Sequence, residues 1–115
     1  MQSAEQVDEM SETQTAELKQ RLIEALRSVH DPEIPVNIYD LGLIYRLDVD
    51  EKGVVEVEMT LTAPACPVAG TLPNEVGRVI DAVPGVTDAT VKLVWSPAWT
   101  QERMSDEAML QLGLF

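Results

Sequence analysis

Val55-Glu56-Val57-Glu58-Met59-Thr60-Leu61-Thr62-Ala63-Pro64-Ala65-Cys66-Pro67 is the stretch on which the fold turns. Val55, Val57, Met59 and Leu61 alternate with Glu56, Glu58, Thr60 and Thr62, the period of a strand with one buried face. The alternation ends at Pro64 and Pro67, and a helical pattern takes over further on. Cys66, the single cysteine of the chain, lies in that strand-to-helix passage. Two readings of it stay open. A thiol near the start of a helix feels unpaired N–H groups and the positive end of the dipole, both of which favour thiolate. A cysteine turned into the core is only a small apolar residue.

Working outward from this strand, Tyr45, Leu47 and Val49 alternate with Arg46, Asp48 and Asp50, and Asp50-Glu51-Lys52-Gly53 reads as the turn of a β-hairpin. Downstream, Leu72, Val76, Val79, Ile80 and Val83 recur at helical spacing, ending before Pro84-Gly85. A helix starting at Pro67 would carry Pro73 in its interior. A start capped by Thr71 leaves Pro73 in the first turn and is preferred, alone or after a short turn from Pro67. Val91, Leu93 and Trp95 then oppose Thr90, Lys92 and Val94 on a third strand. Trp95 and Trp99 are expected to cover the edge of the core. A last helix runs from about Ser105, its N-cap, to Leu112, and Gly113 stops it.

Towards the N-terminus, Leu18, Leu22, Leu26 and Val29 mark an amphipathic helix from about Thr15, stopped near His30 because Pro32 disfavours helical geometry at Asp31. Residues 1–14, with Glu5, Asp8, Glu9 and Glu12 and no base, read as an acidic mobile tail. The span Asp31 to Gly42 is too proline-rich for helix and too apolar for an idle linker, so an ordered loop packed on the core is expected. The order helix, hairpin, helix, strand, helix predicts an α/β (α+β) two-layer sandwich with a small mixed sheet of about three strands, one domain over residues 15–115.

The 115 residues suffice for one hydrophobic core. One cysteine permits no internal disulfide, which suits a reducing compartment. Nothing in the first thirty residues resembles a signal peptide and no apolar run approaches membrane-spanning length, so a soluble cytoplasmic protein is expected. The 20 acidic and 8 basic residues give a formal charge of -12. Such a balance repels phosphate backbones and anionic lipid, which argues against nucleic acid and membrane partners.

The loop after the first helix carries His30, Asp31, Glu33 and Asp40, and the loop after the second strand carries Thr62 and Cys66. In a domain of this size the two are expected to converge on a shallow site at one sheet edge. A thiol with carboxylates suits iron, because thiolate binds soft centres and clusters while carboxylates complete a harder shell. Each group also has a plainer use: Asp31 and Asp40 cap turns, Glu33 is solvated, and Thr62 bonds to backbone.

His30-Asp31-Pro32-Glu33-Ile34-Pro35, Tyr39-Asp40-Leu41-Gly42-Leu43-Ile44, Met59-Thr60-Leu61-Thr62 and Cys66-Pro67 resemble, in the same order, the signatures of the PaaD-like iron-sulfur cluster assembly family. The tail Val94-Trp95-Ser96-Pro97-Ala98-Trp99-Thr100, with Met104-Ser105 and Leu110-Gln111-Leu112-Gly113, resembles one branch of it. The resemblance runs from about Leu18 to the end. It implies an accessory role in assembling or transferring iron-sulfur clusters beside a scaffold system. It further implies a functional cluster of Asp31, Glu33, Thr62 and Cys66, with Cys66 as metal or cluster ligand and Asp31 and Glu33 as candidate further ligands. Ala63 stands where many relatives carry a second hydroxyl. The chain has neither the cysteine-rich extension nor the ATP-binding domain of some relatives, and no Gly-rich phosphate loop.

Ligand count bounds the chemistry. A cluster takes roughly four protein ligands, and one chain offers one thiol. The expectation is a transient iron-sulfur cluster, none tightly bound by the monomer, passed between scaffold or carrier proteins and client apoproteins, with a homodimer as one way of sharing ligands. Two alternatives are an adaptor without metal chemistry, docking through its acidic surface and Trp-rich segment, and, ranked last, a thiol enzyme with Cys66 activated by His30. No complete catalytic constellation is evident, so no residue is assigned a catalytic role.

Overall fold

A computed structural model describes residues 11–31, 34–62 and 72–114 of the chain. Helix α1 spans Glu12–Leu26 and buries Leu18, Leu22 and Leu26. It begins earlier than its apolar pattern suggests. Ser11 is the N-cap and accepts the Gln14 N–H at 3.1 Å, while the Gln14 side chain accepts the Ser11 N–H at 2.9 Å. This capping box takes residues 11–14 out of the expected tail and into the helix. The first turn faces solvent, so no apolar residue announced it. The helix also ends earlier than His30, at Leu26 with Arg27 as C-cap.

The loop expected between Asp31 and Gly42 contains one helical turn, α2, Ile38–Leu41. Asn37 caps it, accepting the Asp40 N–H at 2.8 Å, and Gly42 closes it at φ +86°. A cap residue after the prolines and a left-handed residue four positions on are enough to wind a turn that has no periodicity of its own.

Strands β1 (Ile44–Val49), β2 (Val54–Met59) and β3 (Asp88–Leu93) form a mixed sheet in the order β1-β2-β3. β1 and β2 are the expected antiparallel hairpin. Its turn is held by Asp50, whose carboxylate accepts the Lys52 and Val54 N–H groups at 2.8 and 2.9 Å. β3 lies parallel to β2, a pairing that requires the long crossover connection the helix provides. That helix, α3, spans Leu72–Asp81, buries Leu72, Val76 and Ile80, and carries Pro73 in its first turn. The start matches the preferred placement, although Thr71 itself is outside the described residues.

Both α1 and α3 pack on one face of the sheet. Val55, Val57 and Met59 of β2 point inward and are almost completely buried. The opposite face carries Arg46, Asp48, Glu56, Glu58 and Lys92 and is left to water. There Arg46 bonds to Asp48 and lies 3.7 Å from Glu58. The Asp48 hydrogen bond and charge raise the Arg46 guanidinium pKa above its ordinary value.

Tyr45 departs from the expected inward alternation. A bulge between Ile44 and Arg46 sets Ile44 opposite Met59 and takes Tyr45 out of register. The Tyr45 hydroxyl donates to the Pro97 carbonyl at 2.8 Å, and the Arg103 guanidinium lies 4.4 Å from the ring centre. The C-terminal segment is thereby latched across the start of the hairpin. Trp99 takes its expected place, half-buried, its indole N–H donating to Leu41 O at 2.8 Å. Trp95 does not, being 43 % exposed. The sheet ends at Leu93 and leaves no layer for Trp95 to cover. After a 3-10 turn at Gln101–Arg103, helix α4 spans Asp106–Gln111, capped as expected by Ser105, whose side chain accepts the Ala108 N–H.

Two substitutions measure these devices. A Cβ on Gly42 would stand 2.3 Å from the Arg103 carbonyl oxygen at a backbone angle that alanine resists. Gly42→Ala is expected to cost about 3 kcal/mol in urea unfolding. Ser11→Ala removes only a cap and is expected to cost about 1 kcal/mol in the same measurement.

Candidate functional site

Three backbone hydrogen bonds bring the two candidate loops to one end of the sheet. The Ile38 N–H donates to Val29 O at 2.9 Å, Leu43 N–H to Ile38 O at 3.1 Å, and Thr60 N–H to Leu43 O at 2.9 Å. The run from Val29 to Asn37, which carries Asp31, is thus stitched through α2 to the residues leaving β2. Thr62 follows within two residues, half-buried, where the chain departs towards Cys66. Leu43 and Thr60 are buried, so the stitching is in the core and only the loops beyond it reach water.

Asp31 is 4 % exposed, and its Oδ1 accepts the Ile34 N–H at 3.1 Å. Its own N–H donates to Val36 O at 3.3 Å, and His30 and Asn37 form an isolated antiparallel bridge. Through these bonds the aspartate helps to close its own loop. Asp40 is likewise built into the fold. Its Oδ2 accepts the Asn37 amide at 2.8 Å, and its Oδ1 lies 3.6 Å from Arg27 Nε. His30 is exposed. Glu33 and Cys66 lie outside the described residues, and so does Ala63, which leaves the pairing of Cys66 with any carboxylate or with His30 without a geometry.

Among the described residues no group of three or more His, Cys, Asp or Glu side chains could hold a metal ion. None of their buried side-chain N or O atoms lacks a hydrogen-bond partner. Cys66, outside the described residues, is the one thiol the sequence supplies.

The local pattern concealed the residues that brace this end. Arg27 lies 5.1 Å from the Tyr39 ring centre beside its ion pair with Asp40. Ser105 N–H donates to Asp40 O at 2.8 Å, and Trp99 bonds to Leu41. These contacts join α2 to α1 and to the C-terminal segment. Their partners are far apart in sequence, so only the left-handed Gly42 gave a sign that something approaches there.

A family model described as "Iron-sulfur cluster assembly protein" matches residues 19–93. The chain belongs to the iron-sulfur cluster assembly protein family. It is 50% identical over 92 residues to the "Fe-S protein maturation auxiliary factor" of Porphyromonas gingivalis, covering 80% of this chain and 88% of that one. It is 42% identical to the "Fe-S protein maturation auxiliary factor SufT" of Staphylococcus aureus, covering 75% and 98%. A crystal structure of a domain of unknown function, DUF59, from Bacillus anthracis superposes with a TM-score of 0.82 at 36% identity, covering 91% of this chain and all of the other. The two-layer fold with its mixed three-stranded sheet is the fold of that structure.

Among the described residues no helix is long and apolar enough to cross a membrane.

The two roles of Asp31, holding the loop and serving the site, separate by substitution. Asp31→Ala strips the Ile34 N–H of its acceptor in a buried loop and is expected to lower stability by about 1–3 kcal/mol. Asp31→Asn keeps an acceptor oxygen and is expected to recover most of that loss in thermal melts.

Proposed function

We propose that the protein is an auxiliary factor in iron-sulfur protein maturation, receiving or passing a cluster through Cys66. The observation that supports it most is the backbone stitching of the Asp31 loop to the exit of β2, from which the chain runs on to its single thiol. The family assignment and the names of its relatives point the same way.

In this reading the Cys66 thiolate donates an electron pair to a cluster iron, and Asp31, Glu33 and Thr62 flank it. A buried, loop-fixing Asp31 suits a positioning role better than a ligand role, which leaves Glu33 as the remaining carboxylate candidate for iron. The cluster is cargo. One thiol cannot complete a shell of roughly four ligands, so the remaining donors come from scaffold or carrier proteins on one side and client apoproteins on the other. Such exchange belongs in the reducing cytoplasm, where thiols stay free.

A second reading is favoured by one observation, the exposure of Trp95 just beyond β3 at the same end of the sheet. There the protein is an adaptor that docks a cluster carrier to its target without touching iron.

Cys66→Ser distinguishes the two. After anaerobic reconstitution with iron and sulfide, the wild-type protein is expected to show cluster absorption in the visible range and the variant to lose most of it. Equal absorption in both would remove Cys66 as a ligand. Retention of iron-sulfur enzyme activity in cells carrying Cys66→Ser would favour the adaptor.

A further inference from the structure

The two edges of the sheet are not alike. β1 is blunted by its bulge and held by the latch of Tyr45 to Pro97 and Arg103. β3 is regular, paired with β2 residue for residue from Asp88 to Leu93, and no strand among the described residues covers its other side. A regular, unprotected edge is a template for another strand. The Val94 N–H donates to Met59 O at 2.8 Å, so the even-numbered residues of β3 turn their backbone groups to β2. By alternation, Ala89, Val91 and Leu93 turn theirs outward. The side chains of these three point to the helical layer yet stay only half-buried. A groove of about 640 Å³ opens beside them, lined by Pro73, Gly77, Arg78, Asp81, Ala89 and Val91 among others.

We infer that the β3 edge is a self-pairing surface, on which a second copy of this chain adds its own β3 antiparallel about a two-fold axis at Thr90. Charge selects both the occupant and the register. With Thr90 opposite Thr90 of the second copy, Asp88 of each chain meets Lys92 of the other on the solvent face. Opposite charges and paired threonines are favourable cross-strand neighbours. Moving the axis to Asp88 or Lys92 would set like charges against each other. At Thr90 the outward groups of Ala89 meet those of Val91 in both directions, the geometry in which each pair exchanges both backbone hydrogen bonds. On the inner face the half-buried Ala89 and Val91 side chains cover one another below the groove. Gly77, whose added Cβ would meet Val91 at 3.8 Å, helps to open the groove between α3 and β3.

The result is a continuous sheet, β1-β2-β3-β3′-β2′-β1′, with an isologous interface. Because the central strands run antiparallel, the C-terminal ends of β2 in the two copies lie at opposite ends of the joined sheet.

Sedimentation of the full chain as a concentration series up to about 1 mM, at about 0.15 M salt where repulsion between the acidic chains is screened beyond ~8 Å, tests the inference. The mass is expected to rise from 12.7 kDa towards twice that value. Ala89→Pro removes only an outward N–H, which an edge strand tolerates, and is expected to hold the protein monomeric with an unchanged far-UV circular dichroism spectrum. Lys92→Asp is expected to weaken association about tenfold, and Asp88→Lys with Lys92→Asp to restore it, a rescue specific to self-pairing. A wild-type protein that stays monomeric throughout, or a dimer undiminished by both Ala89→Pro and Lys92→Asp, would overturn the inference.

Discussion

Strand β2 is hydrogen-bonded along both sides, antiparallel to β1 and parallel to β3, and its inward side chains are sealed by two helices. Val55, Val57 and Met59 are at most 1 % exposed, each worth about 1.5–3 kcal/mol in removal from water. A parallel partner cannot be reached by a tight turn, so the chain must leave β2 over the top of the sheet and return through α3. Thr62, two residues past the Thr60 that bonds to Leu43, lies at the start of that exit.

The same end is fixed from the other direction by Gly42. Its left-handed conformation lets the backbone at Arg103 pass within a distance no side chain would permit. Around that crossing, Trp99 and Ser105 bond to the backbone of α2, and Arg103 and Pro97 hold Tyr45. The C-terminal segment therefore acts as a brace for the loop that carries Asp31.

Acidic charge is spread over the molecule rather than concentrated at the site. The open sheet face intersperses Arg46 and Lys92 among Asp48, Glu56 and Glu58, so neighbouring charges partly compensate there. The carboxylates nearest the described part of the site are committed to the fold, Asp31 to Ile34 and Asp40 to Asn37 and Arg27.

Much of this was legible in the chain itself. The alternation from Val55 to Leu61, the spacing of Leu18, Leu22 and Leu26, the placement of Pro73 and the cap at Ser105 each report a local rule, and each gave its element and its buried face. Misreadings fell where no local rule applies. The polar first turn of α1 depends on a reciprocal cap, the turn at α2 on two end residues alone, and the outward swing of Tyr45 on a bulge whose partners arrive from 52 residues away. Order along the chain, the inward faces and the single thiol were thus determined by sequence, because periodicity and composition are properties of neighbours. The meeting of the Asp31 loop with the exit of β2, the hydrogen bonds that build Asp31 and Asp40 into the fold, and the contrast between a blunted and an open sheet edge were decided only by tertiary structure, because each depends on hydrogen bonds and close approaches between segments that share no local pattern.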